Sequence, residues 1–195
     1  MLEENDRKLL LKIARNTIDN HVLGKKMISD HYPEALMKKR GVFCTLYKIN
    51  KNSMMPEGHR CLRGCIGLPY PVKPLVNAVV EAAISSCHDP RFPPLRRSEL
   101  KKIEIELSVL TEPELIAVKH CDEYLEKINV GEDGLIISYA GHSGLLLPQV
   151  ASEYKWNAAE FLHHLCLKAG LQPLAWMDRD AKIWRFHADM FDEED

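Results

Sequence analysis

The sequence holds no apolar run approaching the ~18–20 residues that a membrane-spanning helix needs, which excludes a transmembrane helix. It also lacks an excess of either charge: 26 basic residues face 28 acidic ones, a net charge of -2. The longest basic cluster, Lys38-Lys39-Arg40, is too short to track a phosphate backbone, so nucleic acid is disfavoured as a partner. Neither GxGxxG nor GxxxxGK[ST] occurs, and no glycine-rich loop is available to cradle a nucleotide. The six cysteines (Cys44, Cys61, Cys65, Cys87, Cys121 and Cys166) include no CxxC pair and no framework spacing, which favours free thiols. Met1 to Asp6 is acidic where a secretory signal is basic and then apolar, so a cytoplasmic protein is expected. No repeat, low-complexity tract or interdomain linker is evident.

What is present is an ordinary globular composition, 46% hydrophobic and 28% charged, in a length that supports one core or two lobes. Leu9, Leu10, Ile13, Ala14, Ile18 and Val22 recur at helical spacing, predicting an amphipathic helix from Asp6, its N-cap, to Val22. Gly41–Ile49 is β-branched and aromatic and reads as a strand. After a polar turn over Asn50–Gly58, Arg60–Gly67 returns beside it. Pro74 opens a helix that ends before His88, and Asp89–Pro94 is a rigid, proline-rich turn. Ile103–Leu110 alternates as a half-buried strand, with Glu104, Glu106 and Ser108 on its open face. Leu135–Tyr139 and Leu145–Leu147 flank Gly141–Gly144 as a hairpin. Asn157 and Glu160 form a capping box for a helix over Ala158–Ala169, which Gly170 terminates. A last strand places Trp184, Phe186, Ala188 and Met190 on one face. Helices are interspersed with strands, but hairpins dominate the pairing, so the fold class is α+β with mainly antiparallel or mixed sheet flanked by helices.

The most unusual local sequence is Leu62-Arg63-Gly64-Cys65-Ile66-Gly67. Gly64 and Gly67 permit close approach of a ligand, and in a regular strand Arg63 shares a face with Cys65, where its cation favours thiolate over thiol. Cys65 is then a candidate nucleophile or ligand contact; the alternative is a strand cysteine that serves packing. A zinc site built on His59, Cys61 and Cys65, or on Cys87 and His88, is disfavoured, because Cys61 and Cys65 would lie about 13 Å apart on a regular strand. Cys166 falls on an apolar stripe and is expected in the core. Glu104 and Glu106, about 7 Å apart, match an acid/base pair, but solvated carboxylates on an open sheet face are the commoner case. Gly141–Leu145 departs from a nucleophile elbow at its fifth position.

The segments LRGCIG (62–67), DPRFPPL (89–95), GLLLPQVA (144–151) and HLCLKAG (164–170), in this order and spacing, resemble the AMMECR domain family, whose prokaryotic members are called AmmeMemoRadiSam system protein A. The resemblance covers about residues 8–191 and implies a single domain over 1–195. It implies an α+β fold of two unequal lobes, the larger built from both chain ends, with the glycine-cysteine motif near the groove between them. It further implies association with a Memo-like protein and a radical SAM protein, and it brings no settled activity and no known cofactor. Together the two readings give a polar site of Arg63, Cys65 and Arg91, flanked by Gly64 and Gly67, with Gln149 on a neighbouring loop. His88 and His142 are candidate proton carriers. Two functions follow: a binding or accessory module, or a cysteine-dependent enzyme or enzyme subunit acting on a small molecule or peptide.

Overall fold

The computed structural model describes residues 2–26, 32–49 and 60–194. The turn expected over Asn50–Gly58, and His59 with it, lie outside the described residues. The chain divides into two compact units of unequal size, Met1–Leu110 with Asp189–Asp195, and Thr111–Ala188, so the larger is built from both chain ends.

The first unit contains α1 (Glu4–Val22), α2 (Glu34–Met37), β1 (Val42–Ile49), β2 (Arg60–Leu68), α3 (Leu75–Ser86), a 3-10 helix (Arg97–Lys102) and β3 (Ile103–Leu110). The second contains β4 (Glu114–Leu115), α4 (Glu123–Lys127), β5 (Gly134–Tyr139), β6 (His142–Leu146), α5 (Pro148–Glu153), α6 (Ala158–Lys168), a 3-10 turn (Ala175–Met177) and β7 (Lys182–Phe186). Strand β8 (Ala188–Asp192) returns to the first unit, whose sheet has the order β2-β1-β3-β8; the second sheet runs β4-β7-β5-β6. The pairs β1–β2, β1–β3, β4–β7, β5–β6 and β5–β7 are all antiparallel, in keeping with an α+β fold.

In the first unit Val42, Cys44 and Leu46 of β1 and Ile103, Ile105, Leu107 and Val109 of β3 form the face that packs on α1 and α3. Helix α1 contributes Leu10, Ala14 and Ile18, all fully buried. It begins before Asp6, which sits in the first turn with Glu4, where a carboxylate meets the positive end of the helix dipole. The expected open face of β3 is not solvated: Glu104 and Ser108 are buried and Glu106 half-buried. In the second unit α6 packs Phe161, Leu162, Leu165 and Cys166 against Leu135, Ile137 and Ile183, and the Asn157–Glu160 capping box is formed as expected.

Two further expectations need correction. The hairpin turn is Ala140-Gly141, both at positive φ (49° and 79°), so Tyr139 pairs with His142 and residues 142–144 already belong to β6. Two residues at positive φ match the right-handed twist of the flanking strands, which a longer loop does not. The single last strand is two strands in different sheets, parted at His187, and the buried phase shifts there. Met190 is exposed, whereas Phe191 and Asp189 are buried. Asp189 is tolerated inside because it accepts hydrogen bonds from the Leu2 amide (2.9 Å) and Arg7 Nη2 (2.7 Å).

Strand β2 lies close against the end of α3. A Cβ at Gly64 would overlap the Ser86 carbonyl oxygen, and Ser86 Oγ donates to the Cys44 carbonyl at 2.7 Å. Gly64→Ala is therefore expected to destabilise the protein by about 1–3 kcal/mol through overpacking. Urea unfolding measures this, and an unchanged midpoint would show that strand and helix have room to part.

Candidate functional site

The site is built on β2, and β2 is not regular. Leu46 of β1 pairs with Gly64 but Tyr47 pairs with Leu62, so Arg63 is an extra residue without a partner on β1. Such a bulge breaks the alternation of side chains. Arg63 and Cys65 consequently do not act on one face. Arg63 is buried and donates through Nε to Glu99 Oε1 (2.9 Å), and through Nη2 to Glu99 Oε2 (3.1 Å) and the Pro93 carbonyl (2.9 Å). Its guanidinium also lies over the Phe92 ring, 5.9 Å from the ring centroid. The expectation that Arg63 stabilises a Cys65 thiolate is thus overturned.

Cys65 is half-buried and lies opposite Thr45, which pairs on its other side with Glu106. Thr45 Oγ1 donates to Cys65 Sγ at 3.2 Å. Burial pushes the thiol above its ordinary pKa; the Thr45 hydrogen bond and the Arg91 cation pull it down but do not prevail, and Asp89 and Glu106 add to the rise. The thiol is therefore protonated at neutral pH.

Asp89, a residue to which the sequence reading gave no role in the site, organises its far side. Its buried carboxylate accepts from the Cys65 amide (2.8 Å), the Arg91 amide (3.0 Å), Arg91 Nε (3.0 Å) and Arg91 Nη2 (2.7 Å). The Arg91 guanidinium holds it well below the usual carboxylate range. The carboxylate that Arg91 grips is thus the chain's own. Arg91 remains exposed over the Phe92 ring, and Nη2 lies 3.4 Å from the Cys65 carbonyl. The only sequence signal for Asp89 is its place at the head of the proline-rich turn, two residues before Arg91.

A Cβ at Gly64 would meet the Ser86 carbonyl and one at Gly67 the Phe43 ring, so the space that these glycines open is filled by protein. Gln149 lies in the first turn of α5, in the second unit, rather than on a loop. His142 is also in the second unit, exposed on β6. His88 is exposed and its Nε2 lies 2.8 Å from Nε2 of His21. Cys87 points inward, its thiol 3.3 Å from the Ala83 carbonyl and pushed up by burial to about 11. None of the six cysteines is joined in a disulfide, Cys166 is fully buried, and Cys61 is exposed. Among the described residues no group of three or more His, Cys, Asp or Glu side chains is placed to hold a metal ion.

Glu104 and Glu106 are not solvated carboxylates. Arg60 Nη2 lies 2.6 Å from Glu104, and Arg60 Nη1 lies 3.9 Å from Glu106 and 2.6 Å from Asp192. Burial raises the pKa of both glutamates, and Arg60 opposes the rise. The polar face of the first sheet thus combines a neutral thiol, the Thr45 hydroxyl, two carboxylates gathered on one arginine, and Arg91 at its margin.

Arg63 and Glu99 form the joint between β2 and the chain that follows the proline turn. Breaking such a pair from one side leaves a poorly solvated charge, so Arg63→Gln is expected to cost about 3 kcal/mol. Arg63 depresses the Glu99 pKa from its ordinary 4.5 to about 2. The stabilisation this represents is present above pH 4.5 and is lost as pH falls towards about 2. In Glu99→Gln that part of the acid-induced loss should disappear, which denaturant unfolding as a function of pH would reveal as a shallower slope.

Comparisons with known proteins agree on one family. The AMMECR1 family model matches residues 11–191. A protein of Methanocaldococcus jannaschii is 51% identical over 184 residues, covering 94% of this chain and 88% of its own. One of Methanothermobacter thermautotrophicus is 45% identical over 196 residues, covering 99% and 97%. The crystal structure of an uncharacterised protein of Pyrococcus horikoshii, 43% identical, superposes with a TM-score of 0.87 over 99% of this chain and 94% of that one. With matches of this extent, on a fold of two units in which LRGCIG and RFPPL meet through Arg63, the chain belongs to the AMMECR1 family.

Proposed function

We propose that this protein is a binding or accessory module of the AMMECR type, one domain spanning both units, which acts with a Memo-like protein and a radical SAM protein. Its contact surface is the LRGCIG strand with the turn that carries Arg91. The observation that supports this reading above the enzymatic one is the state of the thiol. A cysteine nucleophile needs a thiolate, and the cation expected to supply it, Arg63, is engaged by Glu99 and Pro93, while burial holds Cys65 protonated. A neutral thiol beside a threonine hydroxyl is suited to contact rather than attack.

Arg91 carries the recognition in this reading. Asp89 fixes the guanidinium through Nε and Nη2, so little side-chain entropy is lost when its exposed outer edge meets a carbonyl or carboxylate of a partner segment. The rigid Asp89–Pro94 turn presents it, and Phe92 supports its face.

The pH dependence of Cys65 alkylation in the native protein, followed by mass spectrometry, separates the two readings. Labelling should be slow at pH 7 and rise only above the ordinary thiol pKa of 9.0. Rapid labelling at pH 7 would reinstate the enzyme. In parallel, Cys65→Ser should leave capture of the Memo-like and radical SAM proteins intact, while Arg91→Ala should weaken it about tenfold or more, as expected for a charge-assisted contact. If neither partner is captured by the unaltered protein, the binding reading fails.

A further inference from the structure

A second polar site lies on the first unit, beyond Cys65 and Arg91. An open pocket of about 490 Å³ is lined by Lys48, Arg63, Arg96 and Lys102, with Glu99 as its one carboxylate among the described residues. Four cations therefore face one anion, and that anion is already saturated. Glu99 accepts from Arg63 Nε and Nη2 and from the Arg96 amide, and it stays ionised because its pKa is held near about 2. The buried Arg63–Glu99 pair thus forms a closed, neutral floor.

The unbalanced charge is on the walls. Lys48 reaches Glu99 only at 3.8 Å, with half its side chain exposed. Arg96 and Lys102 are exposed, and neither has a carboxylate partner among the described residues. The Ser98 hydroxyl adds a donor, and Pro93 and Pro94 form a stiff, apolar side. Among the described residues the pocket cannot close by pairing its own charges, since the only acid lining it is engaged.

We propose that this pocket binds the phosphoryl group of a small phosphorylated molecule. A dianionic group with three acceptor oxygens can be shared by a guanidinium, two ammonium groups and a hydroxyl at once, whereas one carboxylate would satisfy only part of the set. Pro93 and Pro94 bound the space beside the phosphoryl group. The phosphate is gripped by side chains, which is why no glycine-rich loop announces it in the sequence.

The test is isothermal titration of the intact protein at constant ionic strength with glycerol 3-phosphate, inorganic pyrophosphate and, as the uncharged control, glycerol. Saturable 1:1 binding of glycerol 3-phosphate and pyrophosphate is expected, with none of glycerol. Lys102→Gln and Arg96→Gln should each weaken it about tenfold, the loss of one charge-assisted contact. The Arg96 contact to Glu99 is made by its backbone amide, so the ligand-free melting temperature should stay the same in both variants. Equal binding by the variants would overturn the proposal, as would heats no larger than those of matched chloride. Tighter capture by anionic lipid vesicles or by an RNA oligomer than by glycerol 3-phosphate would also overturn it, since the patch would then serve an extended polyanion.

Discussion

One extra residue in β2 sets the arrangement of the whole site. Without the bulge, Arg63 and Cys65 would project from the same side of the sheet, as in any regular strand. The register shift opposite Leu46 and Tyr47 takes Arg63 out of the alternation and turns it to Glu99 and the Pro93 carbonyl. The bulge is held from outside the strand as well. Gly64, the next residue, allows the end of α3 to lie so close that any Cβ would strike the Ser86 carbonyl. Strand, helix end and proline turn are thereby tied at three successive residues, Arg63 through Glu99, Gly64 through Ser86, and Cys65 through Asp89.

These ties are polar, and that shapes what they do. A buried ion pair adds little net stability over an apolar contact of similar size, because desolvation offsets most of the attraction, but it tolerates few alternative geometries. The Glu99 carboxylate is saturated by an arginine and one backbone amide, and that of Asp89 by an arginine and two. The result is a surface whose polar groups are fixed before any partner arrives. The Cys65 thiol is a product of the same arrangement. It is drawn down by Arg91 and Thr45 and driven up by burial and by two carboxylates, and the upward influences prevail.

Much of the fold was legible because local chemistry and long-range packing agree in it. The three- and four-residue spacing from Leu10 to Ile18, the Asn157–Glu160 box and the alternation of β3 each report one physical cause, and each element formed. The last strand misled because alternation continues smoothly from Trp184 to Met190, while the change of sheet at His187 depends on partners far away in sequence, Leu2 and Arg7 among them. The site was legible in composition but not in connection. Arg63, Cys65 and Arg91 could be named from their motifs, yet which arginine meets which carboxylate is decided by the bulge, and a bulge leaves no mark on period-2 spacing beyond the glycine beside it. Asp89 and Glu99 were passed over for the same reason, since an acid looks solvated until its partners are known.

The Arg63–Glu99 pair has one further consequence, because it serves two surfaces. Towards Phe92 and Pro93 it fastens the turn that presents Arg91; towards Arg96 and Lys102 it is the floor of the cationic pocket. A charge placed in that pocket would act first on Arg96 and Lys102, which are exposed and without an acidic partner among the described residues, and only weakly on a pair already closed on itself. The pocket can therefore fill without loosening the joint, and the joint can hold Arg91 in place whether the pocket is filled or not. Coupling between the two surfaces would require an anion strong enough to compete with Arg63 for its own glutamate, and a guanidinium held by two hydrogen bonds to one carboxylate is a poor target for that competition.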